Sequence, residues 1–294
     1  MATKPAISST KKSAETKPKT STIASKVDKY VPVNYEKICK TLRSVPMIGI
    51  LVAEFIGTFL LTAAFIEMQA NPLFVAFALA GVVLIVGGVS GAHVNPAVTI
   101  GAWATRKINW LRALGYIVVQ LLGAVTAFLV LNTFLNGSAA PLTAAEIAGG
   151  ATAPSLFTAA SIVKDKEWYL FFAELLGVTI LTLGVAAAVR SKRDRTFAAF
   201  AAGFAILIAL YIAMSLTTVL LTAQGVSLSF LNPAIAFASN AFADVFAKGS
   251  AWNLWPIAIY VIAPALGGIV GFAIQDLFHC RNNDDCECGC DVCK

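Results

Sequence analysis

Charge is scarce in this chain: 13% of its 294 residues are Asp, Glu, Lys or Arg, whereas 58% are hydrophobic. Soluble domains carry about a quarter charged residues, so a water-exposed globule is excluded for most of the length. Histidine is nearly absent, with only His93 and His279. No His, Cys and carboxylate set falls within the apolar region to hold a metal there. A nucleophile–base set, a phosphate-cradling Gly loop and a cofactor motif are also missing, so no enzymatic reaction and no cofactor are expected. The N-terminal stretch is long and polar and has no apolar h-region, so a cleaved signal peptide is not expected either.

What the chain has instead is apolar runs of membrane-spanning length, about 20 residues each. They fall near Met47–Ile66, Pro72–Val89, Trp110–Phe134, Trp168–Val189, Phe197–Val219 and Trp252–Phe278. Two further segments, Asn95–Thr105 and Asn232–Phe246, are too short to cross comfortably. Both open with the same tripeptide, Asn95-Pro96-Ala97 and Asn232-Pro233-Ala234. Asn supplies an N-cap oxygen and Pro at the first helical position loses no needed N–H. Starting a helix inside hydrocarbon leaves unsatisfied backbone groups, which lipid cannot partner. Two such starts imply a pair of half-helices whose N-termini face a shared cavity.

Basic residues sort the connections. Lys and Arg crowd the N-terminal region, and Arg106, Lys107 and Arg112 follow the first short segment. Arg190, Lys192, Arg193 and Arg195 separate spans four and five. The other connections carry few, so both termini are expected in the cytoplasm. This topology accounts for the formal +6, and nucleic acid is not an expected partner.

The two halves repeat one plan. Ala53-Glu54-Phe55-Ile56-Gly57-Thr58 in span one corresponds to Ala173-Glu174-Leu175-Leu176-Gly177-Val178 in span four. Tyr116 to Gln120 in span three corresponds to Tyr260 to Pro264 in span six. Each half holds three spans and one half-helix. An odd number of spans per repeat forces opposite orientations, so the half-helices enter from opposite faces. The expected fold is an all-α membrane protein: six transmembrane helices plus two re-entrant half-helices in an inverted repeat. The channel domain is placed at 46–278, with repeats at about 46–135 and 166–278.

These residues resemble the major intrinsic proteins, that is, the aquaporins and aquaglyceroporins. The resemblance runs from about Met47 to Phe278. It is carried by residues 53–58, by Ser90 to Thr99 (Ser-Gly-Ala-His-Val-Asn-Pro-Ala-Val-Thr), by the second Asn-Pro-Ala, and by Glu174 and Gln120. It implies an hourglass channel in each protomer of a homotetramer, passing water or small neutral solutes through a lipid bilayer. The cell's plasma membrane is the expected location. Asn95 and Asn232 would form the central constriction with Pro96, Ala97, Pro233 and Ala234, and His93 would line the pore beside them. Glu54 and Glu174, costly inside a membrane, would accept hydrogen bonds from the re-entrant loops, with Gln120 in the same network. The family pattern continues its second tripeptide with Arg, whereas this chain has Ile235. The outer filter is expected at Ile235, Ser229, Leu220 and either Val75 or Phe77, apolar and without its fixed charge.

Two tails flank this region. Residues 1–45 are rich in Lys, Ser and Thr and read as a disordered cytoplasmic tail. Residues 279–294 concentrate Cys280, Cys286, Cys288, Cys290 and Cys293 among acidic residues. Such thiols suit Zn²⁺ or Cu⁺, although an unstructured or lipidated tail is an alternative reading. For the whole chain, the competing readings are a proton-coupled secondary transporter, a non-conducting structural membrane protein and a metal-sensing regulator.

Overall fold

The computed structural model describes residues 45–138, 143, 156, 157, 159, 161–190, 194–218, 229–246 and 253–282. Among the described residues all regular structure is helical. The first half contains α1 (Val45–Glu67), α2 (Pro72–Ser90), α3 (Pro96–Ala104) and α4 (Trp110–Ser138). The second half contains α5 (Glu167–Arg190), α6 (Arg195–Thr218), α7 (Pro233–Ala238) and a 3₁₀ turn at Ala243–Phe246. The last span is composite: α8 (Trp255–Ile257), a π-helical turn (Ala258–Ile262) and α9 (Ala263–Asn282).

Six helical segments are long and apolar enough to cross a membrane. Their outer faces are apolar too, with Ile85, Tyr211 and Leu277 each more than 60% exposed. In water such a surface would drive aggregation; in a bilayer it is the natural exterior, as for an integral multi-pass protein.

Packing follows the repeat. In the first half α1 packs on α2 and α4; in the second α5 packs on α6 and α9; α2 and α6 join the halves. Each half-helix lies against the third span of the opposite half, α3 on α9 and α7 on α4. Lipid removes the hydrophobic drive between spans, so close backbone approach must supply the contact energy. A Cβ on Gly123 would sit 2.5 Å from the Phe55 carbonyl oxygen, and one on Gly267 would sit 2.5 Å from that of Leu175. Phe55 and Leu175 each follow an intramembrane glutamate, so the same contact is made twice.

Both half-helices start and stop by matching devices. Asn95 and Asn232 have extended backbone, and their side-chain oxygens accept from the N–H of Ala97 (2.9 Å) and Ala234 (3.0 Å). Arg106 and Asn240 lie in the left-handed region, at φ 61° and 63°. The next N–H reaches back to close the helix, Lys107 to Ala102 O at 2.8 Å and Ala241 to Ala236 O at 3.0 Å. The second half-helix is therefore shorter than the apolar run Asn232–Phe246 implies: Ser239-Asn240 ends it, and the remainder forms turns and the 3₁₀ segment. The last helix continues to Asn282, past the boundary expected at residue 278. The π turn has a local cause. Pro264 has no N–H and its ring would meet the carbonyl four residues earlier. The preceding turn widens, and Ala263 N–H bonds Ala258 O five residues back.

On the face where α1 begins, Lys107 pairs with Asp276 at 2.9 Å and Arg190 pairs with the same carboxylate. This ties the α3–α4 connection and the end of α5 to α9. Burial, and then the neighbouring Arg190, hold the Lys107 ammonium below the usual lysine range.

Candidate functional site

The two re-entrant loops meet through their asparagines. Asn95 Nδ2 donates to Leu231 O at 2.8 Å, and Asn232 Nδ2 donates to Val94 O at 2.9 Å. Each asparagine thus holds the carbonyl of the residue preceding the other. An amide nitrogen carries two hydrogens; these bonds use one of each pair. Both side chains also line one cavity of about 60 Å³, room for more than one water-sized occupant. Both are buried among apolar neighbours.

Val94 and Leu231 carry the local strain. Their φ angles are 43° and 53°, and the left-handed region is uncommon for any residue with a Cβ, most of all a branched one. Both conformations are held by intramembrane carboxylates. Glu54 accepts from His93 N–H at 2.9 Å and from Val94 N–H at 2.7 Å. Glu174 accepts from Phe230 N–H at 2.6 Å and from Leu231 N–H at 3.0 Å. Each strained residue therefore has its N–H fixed by its own half's glutamate and its C=O fixed by the opposite asparagine. Gly57 and Gly177, one turn past the glutamates, leave room for the Val94 and Leu231 side chains: a Cβ would come within 2.6 Å and 2.4 Å of them.

The second layer differs between halves. Gln120 donates to Glu54 at 2.8 Å and to Thr99 at 3.0 Å, and Thr99 donates to Asn95 O at 3.0 Å. His93 lines the cavity; its Nδ1 lies 3.3 Å from Thr99 Oγ1 and its ring is edge-on to Tyr116. In the second half the positions of His93, Thr99 and Gln120 are taken by Phe230, Ala236 and Pro264, none of which offers a polar side chain.

Of the residues expected in an outer filter, Ile235 is buried and lines the cavity beside Asn232. Val75 and Ser229 are buried without lining that cavity. Phe77 is 62% exposed, in an outward groove with Phe200 and Phe204. The helical register turns residue 77 outward while residue 75 faces in. Leu220 lies outside the described residues, as do Cys286, Cys288, Cys290 and Cys293. Cys280 falls in the last turns of α9, and its side chain also lies outside the described residues. Among the described residues no group of His, Cys and carboxylates is gathered to hold a metal ion.

Sequence reasoning missed Phe65, which lines the cavity from the end of α1. It also missed Arg112, which donates with Tyr116 to Ser90 O and so pins the end of α2. Arg112 had a signal in the sequence, a basic residue one turn from a tyrosine near a short segment; Phe65 had none.

Comparison with known proteins agrees with this architecture. The family model described as major intrinsic protein matches residues 41–274. Aquaporin AqpM of Methanothermobacter thermautotrophicus is 34% identical over 251 residues, 74% of this chain and 92% of that protein. Glycerol uptake facilitator protein-like 6 of Lactiplantibacillus plantarum is 33% identical over 229 residues, again 74% of this chain and 93% of the relative. The solved structure of the aquaglyceroporin from Plasmodium falciparum shares the fold, with a TM-score of 0.59, 22% identity and coverage of 80% of this chain and 98% of that one. With the paired half-helices in place and a family match across most of its length, the chain belongs to the major intrinsic proteins, a family of membrane channels for water and small solutes.

Proposed function

We propose that the protein conducts water or another small uncharged solute, passively and in both directions, through a narrow pore in each protomer of a homotetramer. Asn95 and Asn232 form the central constriction, and no reaction is catalysed. The observation that carries this reading is the reciprocal bonding of the two asparagines across the halves, with both facing one cavity. Each amide keeps a donor for a passing oxygen, and the helix N-termini behind them favour that orientation. In aquaporin-type pores the positive ends of half-helix dipoles oppose protons and cations, and the paired N-termini of α3 and α7 act in the same sense.

The relatives include one named for glycerol uptake and others named aquaporin. Both solute classes therefore belong to the test. The outer filter comprises Ile235, Ser229, Val75 and Leu220, and its aliphatic Ile235 replaces a guanidinium. Both termini face the cytoplasm, on the face carrying Lys107, Arg112 and Arg190, and the membrane is the plasma membrane.

Stopped-flow light scattering on proteoliposomes tests the reading. Osmotic shrinkage should exceed that of protein-free liposomes, and Ile235→Arg should change the ratio of water to glycerol flux by about tenfold, as a barrier change of ~1.4 kcal/mol produces. Flux equal to the control would overturn the channel reading. An unchanged ratio would remove Ile235 from the filter.

A further inference from the structure

A recess of about 420 Å³ lies behind the half-helices, apart from the pore cavity. Its floor includes Pro96 and Pro233, the buried first residues of α3 and α7. Ile117 and Leu121 line it from α4, Phe237 from α7 and Val261 from the π turn. Among the described residues every lining side chain is a hydrocarbon, and none also lines the cavity that holds Asn95 and Asn232. Each half-helix thus has two faces: the asparagine turns to the pore and the proline beside it turns to the recess.

The surroundings say what the recess meets. Phe237 is half exposed, and so are Val118, Leu122 and Ile262 beside the lining residues, so the opening faces outward through an apolar rim. Half-helices that enter from opposite faces and meet end to end put their first residues near mid-depth of the bilayer. Hydrocarbon about 30 Å thick surrounds that level, and the ends of acyl chains are what reach it.

We propose that this recess binds the terminal segment of a phospholipid acyl chain, seated against Pro96 and Pro233 behind the pore. An empty recess would leave each lining atom without a dispersion partner on one side. Water finds no polar side chain there, and a buried water needs two or more polar partners. A dry apolar cavity of about 150 Å³ already takes up benzene, so a recess of about 420 Å³ has room for a longer hydrocarbon. A helix from a second protomer is too broad: at roughly 10 Å across and 5.4 Å per turn, one turn would occupy the whole space. Such a helix would rest on the rim, whereas a single chain can reach the floor. The site depends on the bilayer and not on which solute the pore passes, so it stands or falls apart from the channel reading.

The test uses the full-length protein in dioleoylphosphatidylcholine vesicles doped with phosphatidylcholine that carries a diazirine at the end of one acyl chain. After photolysis, lipid adducts are mapped by peptide mass spectrometry. A seated chain should label Pro96 or Pro233, which are buried and out of reach of chains on the outer surface, at least as strongly as the rim residues Val118 and Leu122. Leu121→Trp and Ile117→Phe each fill part of the recess. Both should lower floor labelling about tenfold, as a loss of ~1.4 kcal/mol in affinity produces, with rim labelling and helical circular dichroism unchanged. Rim adducts with none on Pro96 or Pro233 in the wild type would overturn the site. So would floor labelling that both variants leave undiminished while their helical content holds. Absence of label from rim and floor alike would mean that a second protomer covers this face, and it too would overturn the proposal. Should a variant lose helical content, the wild-type map decides alone.

Discussion

At the scale of single residues, the site turns on Val94 and Leu231, whose left-handed conformations are each fixed by two partners, a glutamate on the N–H and an asparagine on the C=O. The repeat makes the two glutamates equivalent in sequence but not in support. Glu54 has Gln120 beside it at 2.8 Å, whereas the matching position near Glu174 is Pro264. Glu174→Gln replaces one acceptor by an NH₂ group facing a backbone N–H. A buried donor without a partner costs about 1–3 kcal/mol, so thermal unfolding in detergent should begin at a lower temperature. Glu54→Gln should cost less, because Gln120 can rotate its amide to offer an oxygen. Adding Gln120→Leu to Glu54→Gln should remove that advantage. Equal unfolding midpoints for Glu54→Gln and Glu174→Gln would show that the second layer contributes no support.

Among the elements, the short helices and the repeat were legible in the sequence because their signals are local. Asn-Pro fixes a helix start within two residues, and apolar length alone marks a span. The end of α7 was not legible from hydropathy, since Ala-Phe-Ala continues the apolar run while Ser239 and Asn240 stop the helix by backbone conformation. The π turn escaped too: Pro264 announces a disturbance, but not whether the helix kinks or widens. Nor could the packing of Phe65 against Phe157 and Phe230 be read, because nothing local links residues 65, 157 and 230. The glycine contacts sit between these cases, since abundant small residues signal close packing without naming partners. Gly267→Ala places a methyl 2.5 Å from the Leu175 carbonyl oxygen, a backbone atom that cannot rotate away. Overpacking of this kind costs roughly 1–3 kcal/mol. Gly49→Ala, with nothing within 4 Å of the added carbon, is the matched control. Unfolding midpoints in detergent should fall for the first and hold for the second. A Gly267→Ala midpoint equal to wild type would mean that α5 and α9 can separate freely.

For the whole molecule, the inverted repeat decides how charge is handled. None of the described residues lining the cavity is Asp, Glu, Lys or Arg, and the position that carries Arg in the family pattern is Ile235. On the channel reading proposed above, exclusion of cations would fall to the peptide dipoles, which place up to about half a positive charge at a helix N-terminus. The two ends are unequal: α3 has nine residues and α7 has six, so on that reading the first half would supply more of the barrier. Asn95→Asp tests this and keeps the cap, since Asp caps as well as Asn, although it gives up the bond from Asn95 Nδ2 to Leu231 O. A carboxylate there offsets the dipole and adds an attractive centre for cations. Near a protein surface, a unit charge at 4 Å acts on another with about 4 kcal/mol, more than enough for a tenfold change in passage. Planar bilayers holding the wild type should be electrically silent, and Asn95→Asp should give a cation current at least about tenfold above that baseline. Asn232→Asp should give a smaller one, because the shorter helix contributes less to begin with. Silent bilayers for both variants, with water flux retained, would place the cation barrier elsewhere along the pore than at the meeting of the half-helices.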